Sequence, residues 1–119
     1  MKVSIIIPNW NGMKFVGMCL DSLNQSDFYS YEVIVIDNGS VDGSREMIEK
    51  DYPLVHLIKN PKNMGFAVAC NQGIKAAKGK YISLLNNDIE VESNWLTNLY
   101  EGMERHPECG MGTTKMMFL

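Results

Sequence analysis

A doubly wound α/β domain, with a mostly parallel sheet and helices on both faces, is the fold class this sequence predicts. Three observations predict it. Short runs rich in apolar residues (Val3 to Ile7, Tyr31 to Ile36, Leu54 to Ile58 and Tyr81 to Leu85), largely β-branched in the first two, alternate with segments of helical periodicity. Tyr31 to Ile36 is almost continuously apolar, as a strand covered on both faces is. The chain has 119 residues, 45% of them hydrophobic, which suits one domain over 1–119 with a single core.

Each element has its own warrant. Val3 to Ile7 is a strand that Pro8 closes, because proline cannot donate to a ladder. From Lys14 to Gln25 the positions Phe15, Val16, Cys19, Leu20 and Leu23 recur at helical spacing. The second strand, Tyr31 to Ile36, ends in the turn-forming cluster Asp37-Asn38-Gly39-Ser40. Asp42 or Ser40 is suited to cap a short helix running through Lys50, with Met47 and Ile48 facing inward. Leu54 to Ile58 is the third strand, stopped by Lys59-Asn60-Pro61. Gly65 to Ala77 reads as a helix with Phe66, Cys70 and Ile74 along its packing side. Tyr81 to Leu85 is the fourth strand. Ser93 is a good cap for a helix striped by Trp95, Leu96, Leu99, Tyr100 and Met103, and Gly112 to Phe118 reads as a further strand.

Composition narrows the function. A formal charge of −3 argues against a partner bound through its polyanionic backbone, so nucleic acid is not expected. Three scattered cysteines suggest buried small hydrophobes in a reducing compartment, not a disulfide framework or a metal cluster. No apolar run is long enough to cross a bilayer. The expectation is a soluble cytoplasmic chain, with the full protein free or at the inner face of the membrane.

Strands of a parallel sheet point one way, so the polar clusters that follow them share one edge. Those clusters are Asn9-Trp10-Asn11, Asp37-Asn38-Gly39-Ser40 and Asn86-Asn87-Asp88. Open sheets of this kind bind ligands outside their carboxyl ends, where the winding reverses. Neither a G-x-G-x-x-G nor a G-x-x-x-x-G-K-[ST] loop follows the first strand, so a bare phosphate has no ready cradle. A diphosphate can instead be neutralised by Mg²⁺ or Mn²⁺, which needs only one or two carboxylates besides the phosphates, and Asp88 can supply one. Trp10 offers a flat face for a base, and Asp37 an acceptor for a base N–H or ribose hydroxyl.

The segments VSIIIPNWNG, EVIVIDNGSVDGS, NPKNMGFAVACNQGI and YISLLNNDIEVESNWL, in that order, resemble the nucleotide-binding half of family 2 glycosyltransferases, which have the Rossmann-like GT-A fold. The resemblance covers essentially the whole chain. It implies transfer of a sugar from a UDP- or dTDP-linked donor to an acceptor hydroxyl with inversion, usually with Mg²⁺ or Mn²⁺, the acceptor being a saccharide or lipid-linked. It implies that Pro8 and Trp10 line the base site and that Asp37 holds the pyrimidine. Asn63, Gly65 and Asn71 fall in the loop and helix start over the diphosphate. Asn86-Asn87-Asp88 stands at the D-x-D site, with Asp88 and Asn86 as metal ligands. Asn86 departs from that pattern, which weakens the electrostatic hold on a cation.

Domains of this family are about twice this length on the usual scale. The resemblance therefore implies a donor-binding N-terminal part whose acceptor half and general base lie downstream, inactive alone and inclined to self-associate through an uncovered edge. Two other functions compete: a receiver-type signalling module, which would show an acidic pair after the first strand, and a fragment that binds nucleotide without catalysis.

Overall fold

A computed structural model describes residues 1–106 and 117–118. Its elements are β1 (Val3–Asn9), α1 (Val16–Asn24), β2 (Tyr31–Asn38), α2 (Ser44–Asp51), β3 (His56–Asn60), α3 (Phe66–Ala76), β4 (Tyr81–Leu84), β5 (Ile89–Glu90), α4 (Trp95–Arg105) and β6 (Met117–Phe118). The first four strands form one parallel sheet in the order β3-β2-β1-β4, and β5 pairs antiparallel with β6. The winding moves outward from β1 to β3, then α3 carries the chain back across to β4. Right-handed crossovers therefore place α3 on the face opposite α1 and α2. The buried sets agree. Val3, Ile5, Ile7 and Val35 pack with Leu20 and Leu23 of α1, Ile48 of α2 and Trp95 and Leu96 of α4, whereas Ile6, Ile34 and Ile36 pack under Ala69 of α3. The alternation along each strand is the period of two that sends neighbouring side chains to opposite faces.

β1, β2 and β3 run past the ends of their apolar stretches. Pro8 lies inside β1, opposite Ile36, instead of closing it. Lys2 and Ile6 turn their carbonyls to β4, accepting from the amides of Tyr81 and Leu85. Pro8 has the same parity, and β4 has already left the sheet at Leu84, so no donor is required of it. Asp37 and Asn38 likewise extend β2, and Lys59 and Asn60 extend β3. Asn60 remains in a buried ladder because its amide exchanges hydrogen bonds with Gln72 and donates to Asn38. β3 begins two residues later than the apolar pattern implies, because Tyr52 to Val55 form a turn that leaves Leu54 in solvent.

Helices differ mainly at their ends. α1 starts at Val16 and α3 covers Phe66–Ala76. The packing side of α3 is Ala69, Cys70 and Gly73, not the Phe66, Cys70 and Ile74 row; Phe66 and Ile74 are exposed. A Cβ on Gly73 would stand 2.4 Å from Ile6 Cγ2, so this helix lies on the sheet with its backbone nearly touching. The N-cap of α2 is Gly43, not Asp42 or Ser40, and no side chain caps it; Asp42, one residue earlier, accepts from the Ser44 N–H through Oδ1 as a local Asx turn. Ser93 does not cap α4; its carbonyl instead accepts from the Asp27 amide. Of the strand expected over 112–118, only Met117 and Phe118 fall within the described residues. No helix among the described residues is long and apolar enough to cross a membrane.

α4 is held to the start of β4 by Glu104, which accepts from Lys80, Tyr81 and Tyr100. Those three donors, Lys80 first, hold its carboxyl at about 2. The pairs stand in solvent, so they fix a position more than they add stability.

Candidate functional site

The winding reverses between β1 and β4, and the cavity lies beyond the carboxyl ends of these strands. Its volume is about 330 Å³, at the small end of ligand sites, and it is lined by Pro8, Asn9, Trp10, Asn38, Asn63, Phe66, Asn86, Asn87 and Asp88. Of the expected site residues, Pro8, Trp10, Asn63, Asn86, Asn87 and Asp88 are therefore brought together. Asp37, Gly65 and Asn71 are not among the lining residues. Of the lining side chains, Asp88 alone carries a charge.

The Asn86-Asn87-Asp88 segment is a tight turn. Leu85, just past the end of β4, is buried, and the Ile89 amide donates back to the Asn86 carbonyl, so Asn87 and Asp88 occupy the bend. The Cys19 thiol of α1 donates to the same carbonyl at 3.8 Å. Burial first, and the Asp88 carboxylate second, push that thiol up to about 12, so Cys19 stays neutral and serves as a weak anchor, not a nucleophile.

Asp37 is fully buried at the end of β2. Its Oδ1 accepts from Asn9 Nδ2 at 3.1 Å and its Oδ2 from the Ser40 amide at 2.9 Å. Between it and the cavity stands Asn9, whose Oδ1 accepts from Asn87 Nδ2 at 2.9 Å. Asp37 thus reaches the lining through one amide.

The loop after β1 is set by reciprocal bonds to the loop after β2. The Asn11 amide donates to Ser40 Oγ, the Val41 amide donates to Asn11 Oδ1, and the Met13 amide donates to Asp42 Oδ2. Asn11 itself has φ of 49°, a left-handed conformation that asparagine tolerates better than most residues. These bonds present Trp10, 56% exposed, across the cavity mouth. On the other side Asn38 Nδ2 donates to the Gly65 carbonyl and Asn38 Oδ1 accepts from the Met64 amide, while Asn63 Oδ1 accepts from the Gly65 amide. The segment before α3 is thereby tied to the end of β2, and Phe66, 60% exposed, opens onto the cavity.

Sequence reading missed Phe66 as a lining residue, and it placed Asn9 and Asn38 on the ligand edge without giving either a role. Phe66 was hidden by its spacing of four from Cys70, which makes a core stripe on paper. The signal against that reading was Ala69 and Gly73, small residues that let a helix press onto a sheet without any large side chain between.

The donor set is hard oxygen, with one carboxylate and neighbouring amides, and the described residues hold no group of three or more His, Cys, Asp or Glu placed for a metal. Such a set fits Mg²⁺ or Mn²⁺ arriving with a diphosphate that completes the coordination; it does not fit a pre-formed cage.

Residues 4–115 match the family model described as glycosyl transferase family 2. The chain is 35% identical over 122 residues to the poly(ribitol-phosphate) beta-glucosyltransferase of Bacillus spizizenii, covering 97% of this chain and 19% of that protein. It is 38% identical over 102 residues to the cholesterol galactosyltransferase of Borreliella burgdorferi, covering 83% and 28%. In fold it is similar to S. aureus TarS 1-349 in complex with UDP-GlcNAc, with a TM-score of 0.84 at 24% identity over 97% of this chain and 37% of that one. It is also similar to a mannosyltransferase of Pyrobaculum calidifontis in complex with GDP-Man and Mn²⁺, with a TM-score of 0.73 at 26% identity over 82% and 30%. The chain thus spans between 19% and 37% of the lengths of these four proteins.

Proposed function

The chain belongs to glycosyl transferase family 2, and from that membership together with the cavity we propose that it binds the donor for an inverting glycosyl transfer. The donor is a UDP- or dTDP-linked sugar and the acceptor a hydroxyl of a saccharide or lipid-linked molecule. The observation that carries the reading is that Trp10, Asn63 and Asn86 to Asp88, from three different strand ends, line one cavity at the switch point. Membership in this family removes the receiver-type signalling module as a reading.

Each side chain has a task that its chemistry permits. Trp10 offers an exposed indole face for the base. The side-chain amides of Asn63 and Asn86 can donate to phosphate oxygens and exchange hydrogen bonds with hydroxyls, while Asn38, whose Oδ1 is taken by Met64 and Asn60, retains one N–H to offer. Asp37 sets the base end of the site through Asn9. Asp88, with Asn86 beside it, would hold the divalent cation, which when bound neutralises the charge that develops on the leaving diphosphate. In the transfer, the acceptor oxygen bonds to the anomeric carbon as the bond from that carbon to the diphosphate oxygen breaks, and the acceptor proton passes to a base. No residue of this cavity is assigned as that base.

Titration calorimetry tests the reading. UDP or dTDP is expected to bind at millimolar concentration or better in Mg²⁺ or Mn²⁺, and Asp37→Ala to weaken that binding about 10-fold, as the loss of a charged hydrogen-bonding group does. A thermal melt of the same sample separates this loss from unfolding. Binding of neither nucleotide, or equal binding by wild type and a folded Asp37→Ala, contradicts the proposal.

A further inference from the structure

The side chain of Asn9 hydrogen-bonds both the buried Asp37 carboxylate and the Asn86 to Asp88 turn, through Asp37 Oδ1 and Asn87 Nδ2. We propose that Asn9 is a positioning residue that sets these two ends of the donor site against each other, so that base binding and cation-supported diphosphate binding are coupled through one amide. This inference rests on the donor-site reading and adds to it a residue that meets the ligand mainly through others.

The chemistry of the position calls for an amide. Asp37 is acceptor-only when ionised, so the Asn9 NH₂ must face it, which turns Oδ1 toward Asn87. Both NH₂ hydrogens are used, one on Asp37 Oδ1 at 3.1 Å and one on Ser44 Oγ at 3.1 Å, with Ser40 Oγ further off at 3.4 Å. Asn9 is 1% exposed, so each of these bonds replaces one that water cannot supply. An aspartate there would lose both donors, and a leucine would leave Asp37 and Asn87 without this partner.

A second observation comes from the opposite side of the bond. Gly12 lies over it: a Cβ at Gly12 would stand 2.3 Å from Asn87 Nδ2 and 2.3 Å from Asn9 Oδ1. The chain leaves that space bare, so the loop after β1 closes over the amide pair without prising it apart. Asn87 is thereby committed. Its Nδ2 is turned inward to Asn9, which fixes the bend on which Asn86 and Asp88 sit.

A double-mutant cycle and one resonance test this. In Mn²⁺, Asn9→Ala and Asn87→Ala should each lower UDP affinity about 10-fold or more, and the double variant should be no worse than Asn9→Ala, since the Asn9–Asn87 link that Asn87→Ala cuts is already gone in Asn9→Ala. In the nucleotide-free chain, Asn87→Ala should move the Ser40 amide resonance, because Ser40 N–H donates to the carboxylate that Asn9 holds. Additive losses, or wild-type affinity with an unmoved Ser40 amide in Asn87→Ala, would overturn the coupling while leaving the donor site standing. Should Asn9→Ala fail to fold, the half-buried Asn87 supplies the variant and the Ser40 resonance decides. A wild-type chain that binds no UDP removes the donor reading, and the Ser40 resonance then decides alone whether Asn9 joins the two loops.

Discussion

Asp88→Ala should cost about 10- to 100-fold in UDP affinity when Mn²⁺ is present, and nothing when the cation is chelated. The sign of the second half is the informative part. Asp88 is the single charged side chain among the described residues lining the cavity, and its charge is that of the ligand. Without a cation it repels a diphosphate; with one it becomes an attractive contact through the metal, and contacts to charged groups are worth about 1.5–3 kcal/mol. The variant should therefore bind UDP at least as well as wild type in chelator, and far less well in Mn²⁺. Asp88 is half-buried at a turn and no shift of its fold is expected, which a melting curve checks. A uniform loss under both conditions would mean that the carboxylate serves the turn and not the cation.

Gly39→Ala is expected to lose about 2–5 kcal/mol of stability. Two costs add. Gly39 has φ of 75°, where a Cβ costs about 1–2 kcal/mol. That Cβ would also stand 2.6 Å from Lys62 Cα and 2.8 Å from Lys62 C, backbone atoms that cannot rotate away, and such overpacking costs about 1–3 kcal/mol. Gly43→Ala is the control, since Gly43 has φ of 90° with nothing within 4 Å of its Cβ position and should show only the first cost. Urea unfolding of the two variants measures the difference. Equal midpoints would show that the loop carrying Lys62 and Asn63 yields freely. A lower midpoint for Gly39→Ala, with weakened UDP binding, is the expected pair, because Asn63 follows Lys62 into the cavity.

The sheet was legible in the sequence because its strands are apolar on both faces, and nothing but a sandwich between helices buries Ile5, Ile6 and Ile7 together. The strand ends were less legible. Asp37, Asn38, Asn60 and Pro8 have the residue types of turns, yet they stay in register because each finds a partner or needs none: Asn38 and Asn60 bond to each other, and Pro8 faces a side that β4 has vacated. Such partners come from segments distant in the chain, so periodicity cannot disclose them. The same holds for the site. Trp10 and Asp88 were legible as polar or aromatic punctuation after strands. The burial of Asp37 was not, because it depends on Asn9 and Ser40, with Ser44 holding Asn9 in turn, and β5, two residues long, is below the length at which alternation can be read.

The account rests on one cavity being the place where nucleotide binds. The direct measurement is a two-dimensional ¹H–¹⁵N spectrum of the labelled chain, titrated with UDP in Mg²⁺. The account predicts shifts at the Trp10 indole N–H, at the side-chain amides of Asn38 and Asn63, and at the Asn86, Asn87 and Asp88 backbone amides, with the Lys78 and Gly79 amides at the opposite end of the sheet unmoved. Shifts gathered at Lys78 and Gly79, or none anywhere at millimolar UDP, would contradict it.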